Sequence, residues 1–144
     1  MKTYFDSAVI VKVYVPEANS AEAAGLVRRS NAGVLFSQLH ENEVRNAIRL
    51  KRRRAEVTDA EVEIAFRRIV EDLAEGRLYR PFPDWVGVWT KAEELSALHA
   101  HKVNCRTLDT LHVALAIILG FREFVSFDLR QRELAAITGL HVRP

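Results

Sequence analysis

Four acidic side chains in the 144-residue sequence invite a joint reading, and two of them, Asp109 and Glu43, have no cation at i+3 or i+4 to neutralise them. Asp109 lies in RTLDTLHVALAIILG, an otherwise apolar helical stretch, where its neighbours on the helical wheel are His112, Val113 and Ala116. Glu43, in SQLHENEVRNAI, has Ala47 and Leu50 at i+4 and i+7, whereas Glu41 has Arg45 as an ordinary i+4 partner. Asp6 follows a short β-type run, and Asp128 follows another. Each acid has a plain explanation when taken singly. Asp109 suits the positive end of a helix dipole, Asp128 an N-cap and Asp6 a cap of the next turn, each stabilising by roughly 0.3 to 2 kcal/mol. Glu43 reads as a half-exposed helix residue whose stem covers apolar surface. Taken together they pose a different problem, because uncompensated carboxylates at neighbouring strand and helix ends repel each other unless a cation lies between them. An oxygen-only acidic set suits a hard ion such as Mg²⁺ or Mn²⁺, which keeps several waters and accepts phosphate oxygens. Such an ion lowers the pKa of bound water and neutralises charge on a phosphodiester, so phosphodiester hydrolysis is the leading reaction class. His99, His101 and Cys105 do not make a zinc site, since their spacing is irregular and a fourth ligand is missing.

Strand-like and helix-like stretches alternate along the chain and supply the elements that would position these acids. Thr3 to Phe5, Val34 to Ser37, Leu78 to Phe82 and Phe124 to Phe127 read as strands, with a fifth beginning at His141 and Val142. Helices are expected from about Ser20 to Arg29 with Ser20 as N-cap, over 40 to 54, from Thr58 to near Gly76, from about Asp84 to Ala100, from a Thr107 cap to Gly120, and from Asp128 to Gly139. Thr58 with Glu61 forms a capping-box pattern, and Trp85 with Trp89 reads as core packing. Strands separated by helices imply parallel pairing through right-handed crossovers, hence a three-layer α/β domain. In open parallel sheets ligands bind beyond the carboxyl ends of the strands, the rim that Asp6 and Asp128 share.

The whole chain agrees with one compact domain, 1–144. Apolar residues make up 49% and charged residues 28% with both signs mixed, enough for a core and against disorder. The apolar N-terminal run is interrupted by Asp6 and Lys12 and followed by Pro16, which suits neither a signal peptide nor a membrane span, so a soluble, cytoplasmic protein is expected. Cys105, the single cysteine, has no partner for an internal disulfide and reads as a small core residue. A net charge of +2 is mild. Any nucleic-acid signal must therefore be local, and RNAIRLKRRRAE carries one: Arg45, Arg49, Lys51, Arg52, Arg53 and Arg54 gather at the end of the Glu43 helix, where positive charge suits the dipole and can also hold an RNA backbone. Arg28 and Arg29 extend that surface.

In order along the chain, FDSAVIVKVYVPE, SQLHENEVRNAI, RTLDTLHVALAIILGFREFVSFD and a closing GLHV resemble the PIN-domain ribonucleases, in particular the VapC-type toxins of toxin–antitoxin pairs. The resemblance runs nearly end to end. It implies a three-layer α/β/α PIN-like domain with a central parallel sheet of four to five strands. It also implies Mg²⁺- or Mn²⁺-dependent endoribonuclease activity on an RNA substrate. Asp6 and Asp109 would be the main metal ligands, with Asp128 and Glu43 completing the set directly or through water, and no side chain need act as covalent nucleophile. Ser7 and Ser126 would orient carboxylates or waters, or serve simply as turn and strand hydroxyls. The resemblance further implies a cognate VapB-like antitoxin, which occupies the acidic groove in that family, and a homodimer, with no membrane association. Two departures stand out: Ser7 is followed by Ala8 rather than a second hydroxyl, and Ser126 replaces the Thr of the T-x-D pattern. His112 reads as a core histidine with a hydrogen-bonded ring. Two rivals are a PIN-like module that binds RNA without cutting it, which usually lacks an acid, and a receiver-like phospho-signalling domain. The receiver would need paired acids near the first strand, a phosphoacceptor Asp after the third and a Lys after the fifth, and these are not in place.

Overall fold

The computed structural model describes residues 2–144. In chain order the elements are β1 (Thr3–Phe5), α1 (Ser7–Tyr14), α2 (Ser20–Ser30), β2 (Val34–Leu35), α3 (Gln38–Arg53), α4 (Asp59–Ala74), β3 (Leu78–Tyr79), α5 (Trp85–His99), α6 (Thr107–Ile118), β4 (Glu123–Val125), α7 (Leu129–Ile137) and β5 (His141–Arg143). All strand pairings are parallel. The five expected strands form, distributed over a three-stranded sheet ordered β1-β4-β5 and a two-stranded sheet β2-β3, with helices flanking them. The chain divides into two compact units, one comprising β1 through Asp6 with residues 82–144 and the other residues 7–81.

In the first unit Tyr4 pairs with Phe124, and Phe124 with Val142. The Tyr4 ring stacks on Phe124 at 5.1 Å between centroids and meets Phe121 edge-on at 5.5 Å. All three rings are buried, and offset or edge-on aromatic contacts of this kind add about 0.5–1.5 kcal/mol beyond area burial. α6 is buried without interruption from Asp109 to Ala116, which explains why its sequence has no polar stripe. It packs against α5 and α7. Gly120 at φ +74° and Gly139 at φ +89° end α6 and α7 in the left-handed conformation that glycine adopts without a Cβ clash. Trp89 corrects the core-packing expectation: it is 56% exposed, and Val88, Ala92 and Leu95 form the buried stripe of α5 instead. Thr107 is not the cap of α6 either, because the N-cap position falls on Arg106.

The second unit begins with a helix that periodicity does not reveal. SAVIVKVY is rich in β-branched residues, yet it forms α1, with Val9, Ile10 and Val11 buried as it packs against α2, α3 and α4. Burying each such side chain is worth about 1.5–3 kcal/mol, which outweighs the few tenths that branching costs in a helix. α2 starts one residue earlier than a Ser20 cap would have it: Asn19 is the N-cap, in a left-handed conformation, and Ser20 Oγ accepts from the Glu17 N–H instead. The expected Thr58–Glu61 capping box closes the start of α4 in both directions, at 3.0 and 3.1 Å. α3 begins at Gln38 because Ser37 and His40 form a second reciprocal cap, the Ser37 N–H donating to His40 Nδ1 and the His40 N–H to Ser37 Oγ. Both residues are fully buried.

Candidate functional site

The carboxyl edge of the three-stranded sheet carries the first group of predicted residues. Beyond the last rung of β1 and β4, the Asp6 N–H donates to the Val125 carbonyl at 3.1 Å and the Ser126 N–H to the Arg143 carbonyl at 3.0 Å. The ladder thus runs one residue further, and strand alternation puts Asp6 on the face of Tyr4 and Ser126 on the face of Phe124. That is the face α6 covers, because the buried Tyr4 hydroxyl is hydrogen-bonded to His112 Nδ1 at 2.6 Å. The histidine is the structural residue expected from the sequence. Asp109 lies one turn earlier on the same helix. Asp6, Asp109 and Ser126 are all buried, with relative exposures of 0, 6 and 0%.

The acids have distinct local duties. Asp109 Oδ2 accepts the Arg106 N–H at 2.7 Å, so this side chain caps its own helix. Asp128 is exposed, and its Oδ1 accepts the Arg130 N–H at 2.8 Å and the Gln131 N–H at 3.4 Å. The plain readings of these two residues are therefore realised, and each cap engages one oxygen of the carboxylate. Ser126 Oγ accepts the Asp128 N–H at 3.0 Å, which fixes the turn that presents Asp128. Arg132 Nη1 donates to the Ser126 carbonyl at 2.9 Å, a cation at this edge that the sequence did not single out. In the second unit, Ser7, the residue after Asp6 in the chain, donates from Oγ to Glu43 Oε1 at 2.8 Å. This hydroxyl orients a carboxylate, one of the two roles open to it from sequence.

The donor set suits a hard cation, being carboxylate oxygen throughout with neither sulfur nor nitrogen among the predicted ligands. Among the described residues, however, no three His, Cys, Asp or Glu side chains are gathered into a group that could hold a metal ion. The arrangement therefore fits Mg²⁺ or Mn²⁺ only in the open manner of such ions, through one or two carboxylates with water and substrate phosphate supplying the rest.

The basic run at the end of α3 separates into two kinds of charge. Arg45 bridges Glu41 at 3.1 Å, Arg52 bridges Asp59, Arg54 bridges Glu56 at 2.7 Å, and Lys51 lies between Glu17 and Glu56. The Glu17 bond holds Lys51 above its ordinary pKa. Burial would raise Glu17, but hydrogen bonds and charge from Lys51 and Lys12 prevail and hold it below the usual value. No acidic partner is found for Arg49 or Arg53 among the described residues. Arg45 and Arg49 both sit over the Phe66 ring, each guanidinium carbon 5.0 Å from its centroid, a contact worth about 0.5–1 kcal/mol at exposed sites.

Fold and site together define an α/β domain with two buried acids, Asp6 and Asp109, and an exposed one, Asp128, at the carboxyl edge of its three-stranded parallel sheet. A model of the PIN domain matches residues 3–137, and the chain belongs to that family. Solved structures with the same fold include FitAcB from Neisseria gonorrhoeae, at 13% identity and a TM-score of 0.66 over 99% of this chain and 96% of that one. They also include the sarcin–ricin-loop-cleaving toxin VapC20 of Mycobacterium tuberculosis, at 18% identity and a TM-score of 0.67 over 99% of both chains. At these identities the likeness is one of fold. No curated protein matches the chain by sequence. Among the described residues no helix is long and apolar enough to cross a membrane.

Proposed function

We propose that the chain is a metal-dependent endoribonuclease, acting as the toxin of a toxin–antitoxin pair and working as one PIN-like domain over residues 1–144. Membership of the PIN family supports the reaction class, and the fold shared with an RNA-cleaving toxin supports the substrate. The observation that carries the reading is the burial of two carboxylates, Asp6 and Asp109, on one face of a parallel sheet at its carboxyl edge. A buried carboxylate is costly unless a proton, a cation or hydrogen bonds compensate it, and a hard cation meets that need in a way that serves catalysis.

In this proposal Asp6 and Asp109 bind Mg²⁺ or Mn²⁺ directly, and Asp128 and Glu43 assist directly or through water. When bound, the ion neutralises charge on the phosphodiester and eases deprotonation of water. Asp109 is held by its cap on Arg106, Asp128 by its cap on α7 and by Ser126, and Glu43 by Ser7, so the acids meet substrate with their rotamers already restricted. The cations of α3, Arg45, Arg49, Arg52 and Arg53, face the RNA backbone. A VapB-like antitoxin as partner, a homodimeric assembly and a cytoplasmic location complete the proposal.

The direct test is RNA cleavage by purified protein with Mg²⁺ or Mn²⁺, abolished by EDTA and lost in Asp6→Asn and Asp109→Asn. Undiminished cleavage by those two variants would sink the assignment. The missing three-ligand group favours one second reading, a PIN-like module that binds RNA without cutting it. Metal-independent RNA binding with no turnover would select that reading.

A further inference from the structure

Resting on the nuclease reading, we infer that the open face of α3 is a subsite for single-stranded RNA, in which Arg49 and Arg45 hold backbone phosphate while Asn42 and Asn46 read the edge of an adjoining base. A groove of about 560 Å³ runs along this face, lined by Gln38, Glu41, Asn42, Arg45, Asn46 and Arg49. At about 100° per residue these six positions fall within an arc of roughly 140°, so one helix presents them all. Glu43 lies next around the helix, one step of about 60° beyond Asn46 by the same geometry, which leads a strand in the groove toward the acid that Ser7 orients.

Three features make this more than a solvated helix face. The Phe66 ring restrains both guanidinium groups, so less side-chain freedom is lost when they bind phosphate. Glu41 takes one bond from Arg45 and another from Arg80, leaving the positive charge of Arg49 uncompensated among the described residues. The Asn42 and Asn46 amides, one turn apart and exposed, have no hydrogen bond within the described residues, and an amide offers the paired donor and acceptor that a base edge requires. The ligand class follows from what is absent as well: among the described residues no large apolar side chain lines the groove, whereas protein interfaces anchor on buried aromatic and aliphatic groups. A duplex is disfavoured because the major groove of A-form RNA, which carries the distinguishing base edges, is too deep and narrow for side chains to read and the shallow minor groove offers a degenerate pattern, while single strands expose their base edges.

The experiment pairs binding with cleavage mapping on the full chain, using a pool of single-stranded RNA oligonucleotides of randomised sequence. Arg49→Ala should weaken RNA binding about 5- to 10-fold and lower the slope of log affinity against log salt by about 0.7, the loss of one phosphate contact to a single strand. Asn42→Ala with Asn46→Ala should reduce discrimination at one base position about 10-fold while binding keeps its salt slope. Thermal melts matching the parent protein show that these exposed replacements leave the fold intact. An unchanged salt slope in the first variant, or an unchanged base preference in the second, overturns the subsite. If the parent protein cuts no RNA, the nuclease reading fails, and the Arg49 binding arm still decides the subsite. Weaker self-association of Arg49→Ala with unchanged RNA affinity would overturn the RNA assignment and give this face to a second copy of the chain.

Discussion

Replacing Tyr4 with Phe removes one oxygen atom from the centre of the first unit. The ring keeps its stack on Phe124 and its edge contact with Phe121, so the change isolates the 2.6 Å bond to His112 Nδ1. Tyr4 is 0% and His112 1% exposed, so water does not replace the hydroxyl, and depriving a buried ring nitrogen of such a partner costs about 1–3 kcal/mol. For a chain near 150 residues each kcal/mol lowers the melting temperature by about 2–4 °C, which gives an expected fall of roughly 2–12 °C. Urea unfolding followed by circular dichroism measures the free energy, and the double variant with His112→Leu should show a coupling of at least about 1 kcal/mol. Because Asp109 lies one turn from His112, RNA cleavage under fully folding conditions should fall as well, through kcat rather than KM. A loss below about 0.5 kcal/mol, with no coupling, would refute the claim that this bond ties α6 to β1.

Ser37→Ala opens the reciprocal cap with His40 and should cost about 1 kcal/mol, read as a lower urea midpoint with an unchanged slope. Glu123 offers a pH-dependent test: burial would raise its pKa, but hydrogen bonds from Thr3 and Arg143 and the nearby charges of Arg143 and His141 hold it below 4.5. A depressed acid contributes stability that is complete above its unfolded value and lost as pH falls through the folded one, so the parent should lose stability below about pH 4.5 and Glu123→Gln should lose less over that range. Asp109→Asn keeps an oxygen that can accept the Arg106 N–H, so its melting temperature without metal should stay within about 3 °C of the parent. Saturating Mn²⁺ should then raise the melting temperature of the parent but not of the variant.

Much of this organisation was readable in the sequence because its signals were local. Thr58 and Glu61 announce a helix start through a side-chain pattern that needs no tertiary partner, and Asp128 sits where an N-cap belongs. α1 was hidden because its branched residues carry no helical stripe, and the neighbours that bury them come from α2, α3 and α4, far along the chain. The Ser37–His40 cap was missed because His replaces the usual Glu or Gln at the third position, although Ser at the end of a strand run was a usable signal. Trp89 misled because four-residue spacing marks a shared helix face without saying which face is buried. Asp109 and Glu43 were found by their lack of a cation at i+3 or i+4, and Asp6 and Asp128 by their place after strand-like runs. Nothing in the sequence, however, says which carboxylate oxygen a cap will occupy, and Arg132 and Tyr4 act through partners that only the folded sheet supplies.

The division of the α3 cations into tethered and untethered members bears on how this helix tolerates change over time. Lys51, Arg52 and Arg54 are each matched by an acid on a neighbouring segment, so their signs are free to drift in concert with Glu17, Asp59 and Glu56 while local neutrality persists. Among the described residues Arg49 has no such counterpart to covary with. Two positions three residues apart on one basic stretch, Arg49 and Arg52, are thus governed by different rules, one tied to a partner acid and the other to none among the described residues.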